Sequence, residues 1–161
     1  MKIGPVDPAS VAHLNGIFAP IQDEIDVGPL EIVQGSLPRE LTGVYLRNGP
    51  NCRFPPLGSY NYPLDGDGML HAIELADGRA RYRNRYVRTP ALAAEERAGR
   101  ALWGGVLTPV LPSKEEVGPE LAEQFKDLPD VNIIRHAGQY LALGESARPF
   151  RVTRDLATLG P

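Results

Sequence analysis

The sequence predicts an all-β protein, and three observations carry that prediction. Strand-turn-strand units recur along the chain. The 17 Gly and 16 Pro among 161 residues are spread throughout and not gathered into a linker, which implies frequent turns. Arg79, Arg81, Arg83 and Arg85 alternate strictly with Ala80, Tyr82, Asn84 and Tyr86, the period of two that belongs to a strand and not to a helix. On pattern alone, propeller blades and a β-sandwich are equal solutions.

Residues 1–40 read as an extended, proline-punctuated arm, with Asp23, Glu24 and Asp26 ahead of a short strand around Leu30, Ile32 and Val33. Residues 41–161 read as the sheet-forming part. A strand over Leu41 to Asn48 runs into the turn residues Asn48, Gly49 and Pro50. From Met69 to Val87 two β-type runs flank Asp77-Gly78, the dipeptide that supplies positive φ for a tight hairpin. The cationic side of the second run reads as the charged outer side of an edge strand that favours solubility.

Short inserted helices follow over Ala91 to Leu102 and Glu115 to Phe125, the latter opening with a Ser113 and Glu116 capping box. Strands resume at Val131 to Arg135, Tyr140 to Leu143 and Phe150 to Val152, with a turn at Gly138.

Composition narrows the function. A net charge of −3 and a pI near 5.6 leave no basic field for phosphate backbones, so nucleic acid is excluded as a partner. The single cysteine, Cys52, forms no disulfide within the chain and no thiolate zinc cage, which suits a reducing compartment. Met1 to Ser10 lacks the apolar core of a secretory signal, and no apolar run reaches the ~18 residues of a membrane span. The expectation is a cytoplasmic protein.

Two stretches are specific enough to carry a resemblance: Gly43-Val44-Tyr45-Leu46-Arg47-Asn48-Gly49-Pro50-Asn51 and Leu64-Asp65-Gly66-Asp67-Gly68-Met69-Leu70-His71-Ala72. With Tyr82 to Thr89, Asn132 and the strand after it, and Leu156 to Pro161, they resemble the amino-terminal part of the carotenoid cleavage oxygenase family. Cys52, where a second proline is usual, and Pro63-Leu64, where an aromatic pair commonly stands, depart from that pattern.

The resemblance implies a seven-bladed β-propeller of which this chain supplies about two blades. It implies Fe2+ on the axis, held by four histidines, and cleavage of a conjugated double bond in an apolar polyene (a carotenoid, apocarotenoid or stilbene) by molecular oxygen. It places the first iron ligand beyond the segment resembling Leu156 to Pro161. His13, His71 and His136 match no ligand position, and no metal ligand and no catalytic residue is expected within the chain. Glu145 matches a glutamate whose carboxylate accepts the spare imidazole N–H of an iron ligand. The alternative is a fragment without catalysis or iron, working as a lipid-binding or interaction module.

Two further segments need a reading. Asp65-Gly66-Asp67-Gly68 lacks oxygen ligands at the calcium-loop positions occupied by Met69 and Ala76, so it reads as a structural turn with aspartates accepting backbone N–H groups. Ala101 to Pro112 concentrates Leu102, Trp103, Val106 and Leu107 and offers either core burial or a peripheral membrane and substrate-entry patch.

Overall fold

The computed structural model describes residues 3–145 and 147–161. Met1 and Lys2, which head the segment read against a secretory signal, and Ser146 lie outside the described residues. After three one-turn helices (Pro8–Ser10, Ala12–Leu14, Gly16–Phe18) come β1 (Asp26–Val27), β2 (Gly43–Pro50), β3 (Gly68–Ala76) and β4 (Arg79–Tyr86). Helices α1 (Pro90–Ala98) and α2 (Lys114–Val117) precede β5 (Asn132–His136), β6 (Gln139–Leu143), β7 (Phe150–Val152) and β8 (Thr158–Gly160). Among the described residues all strand pairs are antiparallel and form two four-stranded sheets, ordered β1-β4-β3-β2 and β5-β6-β7-β8. This is the all-β architecture of two propeller blades.

The β3–β4 hairpin turns at Asp77 and Gly78, both at positive φ (48° and 69°), as that dipeptide predicts. Its register sets Leu70 and Ala72 on the face toward the second sheet. There they meet Val87, Ala142, Phe150, Val152 and Leu156 in one core, flanked by Val44, Leu46, Ile133 and Tyr140. A satellite core of Ala91, Ala94, Leu102 and Trp103 joins α1 to the segment after it.

Several elements differ from expectation. The arm's strand is Asp26–Val27 and not the Leu30 to Val33 run; Val33 is 92% exposed. The reason is side-chain capture of the backbone. Asn84 accepts from Ile25 N at 2.7 Å and donates to Asp23 O at 2.9 Å, while Asn51 brackets the Ile21 peptide at 2.8 and 2.7 Å. The second helix keeps the capping box of Ser113 and Glu116 but ends at Val117, because Gly118 takes φ 81° and Pro119 follows. From Glu120 to Phe125 no regular helix forms.

The cationic face of β4 also needs correction, because β4 is not an edge strand: β1 pairs with it on one side and β3 on the other. Arg79 and Arg81 are exposed, Arg81 pairs with Asp26 and Arg85 donates to Ile25 O, both in the amino-terminal arm, while Arg83 reaches the second sheet. Arg83 is 13% exposed at its side chain and pairs with Asp155 of the second sheet's β7–β8 turn, with Glu74 at 3.7 Å and with Asp26 at 3.8 Å. Arg154 reaches back to Glu74 at 2.7 Å. Arg83 and Arg154 tie the two sheets together.

Candidate functional site

The Asp-Gly-Asp-Gly turn leads into β3, and each of its carboxylates is consumed locally. Asp65 accepts Val106 N–H at 2.7 Å and Asn61 N–H at 2.6 Å; burial nonetheless raises its pKa above the ordinary carboxylate range. Asp67 accepts Arg53 N–H at 3.1 Å on one oxygen and the Lys126 ammonium at 2.7 Å on the other. Its carbonyl accepts Asn51 N–H at 2.7 Å, which fastens the Asn48 to Asn51 loop to the turn.

Lys126 continues the chain of charges. Its Nζ lies 2.7 Å from Glu95 Oε2, and Glu95 Oε1 accepts Leu102 N–H at 2.9 Å. Lysine, aspartate and glutamate side chains are 11%, 4% and 1% exposed, so this is a buried ionic triad and not a surface pair. Burial works against the ammonium, but the two carboxylates outweigh it and hold the Lys126 pKa above the ordinary lysine range. The triad joins the turn, α1 and the inserted segment.

Beside it, Cys52 is buried and donates to Phe54 O at 2.9 Å; burial, reinforced by Asp67, pushes its thiol up and leaves it a poor nucleophile. The Asn48 carboxamide donates to Pro129 O at 2.8 Å and Asn132 O at 3.0 Å, tying the end of β2 to the start of β5. Asp130 lies between those two residues, 3% exposed, and burial pushes its carboxyl up to about 7, with the charges of Glu145, Asp67 and Asp65 adding to the effect.

The three histidines stand apart. His13 stacks on Tyr62 with ring centroids 5.0 Å apart, His71 Nδ1 is 2.8 Å from the Tyr82 hydroxyl, and His136 is exposed at the end of β5. Among the described residues no three His, Cys, Asp or Glu side chains converge to hold a metal ion. These residues do not fit an iron centre. The turn's geometry is structural: Asp65 and Asp67 accept backbone N–H groups, and Asp67 shares the Lys126 ammonium with Glu95.

Glu145 follows β6 and is exposed. Of the apolar segment, Leu102 and Trp103 are each 3% exposed, and Trp103 Nε1 donates to Gln124 O at 2.9 Å. They belong to the satellite core and leave the patch, because the indole finds both apolar neighbours and a carbonyl inside. Val106 and Leu107 remain outside, 46% and 72% exposed. Phe125, 72% exposed, and Leu64 line a groove with Val106 that the sequence pattern did not single out. No helix is long and apolar enough to cross a membrane among the described residues.

Comparison with known proteins places this architecture. The sequence profile of the family described as "Retinal pigment epithelial membrane protein" matches residues 18–161. The chain is 35% identical over 96% of its length to a probable carotenoid cleavage dioxygenase 4 of Arabidopsis thaliana. It is 35% identical over 92% of its length to a carotenoid cleavage oxygenase of Mycobacterium tuberculosis. It superposes on the lignostilbene dioxygenase of Pseudomonas brassicacearum with a TM-score of 0.79 at 31% identity, covering 94% of this chain. The chain spans 28%, 27% and 30% of those three proteins respectively.

Proposed function

The chain belongs to the family of retinal pigment epithelial membrane protein and the carotenoid cleavage oxygenases, and on that premise we propose that it forms two blades of a non-haem Fe(II) dioxygenase. The substrate class is an apolar polyene (carotenoid, apocarotenoid or stilbene), in which one conjugated double bond is cleaved by molecular oxygen. The observation that carries this reading is the superposition on a lignostilbene dioxygenase over 94% of the chain at 31% identity. Because the described residues do not fit an iron centre, the metal is assigned to histidines elsewhere in the whole protein. The unpaired Cys52 suits a reducing, cytoplasmic setting.

Within that assembly Glu145 is assigned as the carboxylate that accepts an imidazole N–H from an iron ligand, fixing its tautomer and orientation. It is exposed two residues after the end of β6. The native protein given a polyene under ¹⁸O₂ is expected to yield carbonyl fragments that both carry the heavy oxygen. Glu145→Gln is expected to lower its iron content. Unlabelled fragments contradict the dioxygenase reading, and unchanged iron content removes the role of Glu145.

A substrate this apolar partitions into lipid; Val106 and Phe125 are exposed apolar side chains lining the groove, and Leu107, also exposed, follows Val106 in the chain. We assign them to peripheral membrane contact and substrate entry. Burying a Leu or Phe side chain is worth roughly 1.5–3 kcal/mol. A Leu107→Ser, Phe125→Ser variant of the native protein should therefore co-sediment with phosphatidylcholine vesicles at least ~10-fold more weakly. Equal co-sedimentation sinks the assignment.

A further inference from the structure

Strand alternation sends Leu46 and Ala72 into the core between the sheets, so their neighbours Arg47 of β2 and His71 of β3 share the opposite face, where they stand directly across from each other. Two basic side chains in that relation call for an acid between them. None is there. Arg47 and His71 line a cavity of about 160 Å3 together with Tyr62 and the arm's Ile17, Phe18 and Ile21, and no carboxylate belongs to its wall. Arg47 also enters none of the ion pairs among the described residues.

The polar groups of this cavity are held in place. A Cβ on Gly49 would lie 3.4 Å from Arg47 Nη2, so the guanidinium rests over the bare backbone of a residue that itself lines the cavity. His71 Nδ1 is 2.8 Å from the Tyr82 hydroxyl, which leaves Nε2 as the ring nitrogen for a further partner. Tyr62 is fixed by rings on both sides, with His13 at 5.0 Å and Phe18 at 5.8 Å between centroids.

We propose that this cavity binds a small carboxylate with a short apolar substituent, the carboxylate on Arg47 and His71 and the substituent against Ile17, Phe18 and Ile21. A planar guanidinium fork matches a carboxylate, and one such fork with one imidazole balances a single negative charge. The apolar wall gives the rest of the ligand a surface that a bare inorganic anion does not use.

The same geometry links binding to protons. The charged or titratable groups around His71 are Arg47 across from it, Tyr82 on β4 and Tyr62 in the cavity wall, and none is an acid. Burial and then the Arg47 charge hold the His71 pKa below its ordinary value. A bound carboxylate offsets the arginine and favours the imidazolium, so its pKa rises on binding and a proton is taken up. Affinity therefore grows as pH falls and weakens as pH rises through the midpoint of the bound form.

Calorimetric titration of the native protein with benzoate, and with benzamide as its uncharged counterpart, tests the site. Benzoate is expected to bind saturably, about 10-fold more tightly at a pH one unit lower when both lie between the free and bound His71 midpoints. Benzamide is expected not to bind, and Arg47→Gln is expected to weaken benzoate at least ~10-fold, as loss of a hydrogen-bonded charge does. Absent benzoate binding, equal binding of benzamide, or full affinity in Arg47→Gln overturns the proposal. Should the variant not fold, the His71 ring ¹H–¹³C signals of the wild type decide: a titration midpoint that rises with benzoate supports the site, and one that stays put overturns it.

Discussion

Replacing Lys126 by methionine is expected to destabilise the native protein by about 3–5 kcal/mol, the usual consequence of removing one partner from a buried ion pair. The ammonium stands 2.7 Å from both Asp67 and Glu95, and neither carboxylate has water to turn to. Methionine fills the aliphatic volume but leaves two like charges facing each other in the interior. The loss reaches three places at once: the turn before β3, the base of α1, and the segment that carries Val106 and Leu107. Equilibrium denaturant unfolding reads the change. A double variant, Lys126→Met with Glu95→Gln, should recover part of it, because one uncompensated charge is gone. A loss within about 0.5 kcal/mol, the range of ordinary surface substitutions, contradicts the buried triad.

Phe150→Ala carries the second large effect, about 3–5 kcal/mol for a core aromatic truncated to a methyl. Phe150 is 0% exposed and packs among Leu70, Ala72, Ala142, Val152 and Leu156, the side chains by which one sheet grips the other. The neighbours belong to two sheets paired internally by their own hydrogen bonds, so they cannot collapse freely into the cavity. Leu159→Ala on β8, where Leu159 is 60% exposed, serves as the control and should change stability little in comparison. Equal losses at the two positions would mean that the sheets do not share a core.

Most of the architecture was legible before any coordinates, for identifiable reasons. Local chemistry decides a hairpin whose turn residues must take positive φ, and Asp77-Gly78 announced one; the alternation from Arg79 to Tyr86 announced the strand that follows. The capping box at Ser113 and Glu116 was equally local. What escaped depends on partners far along the chain. β1 is two residues long and exists because Asn84, some 60 positions later, captures its backbone at Ile25, which no window around Asp26 displays. β8 is three residues long and gains its meaning from Val152. The arginine row showed its period but not its neighbours: Arg79 and Arg81 are exposed, while Arg83 pairs with Asp155 at the junction of the sheets.

The site followed the same division. Asp65 and Asp67 stood out as a motif and proved structural, as their spacing suggested. Glu95 sat unremarked in an alanine-rich helix, and Lys126 and Asp130 in a segment with no periodicity at all. Their importance comes from burial and from one another. Trp103 illustrates the opposite limit: an indole among apolar residues suits an interface and a core equally, and only the carbonyl of Gln124 within reach of its N–H decides for the core.

Native mass spectrometry of the protein isolated from its source tests the central claim most directly, because mass and metal are read from the same ion. The account predicts a chain well above the 17.5 kDa of these residues, carrying one iron per chain. A species at 17.5 kDa without iron would contradict it and leave a non-catalytic, lipid-binding or interaction module in place of a dioxygenase.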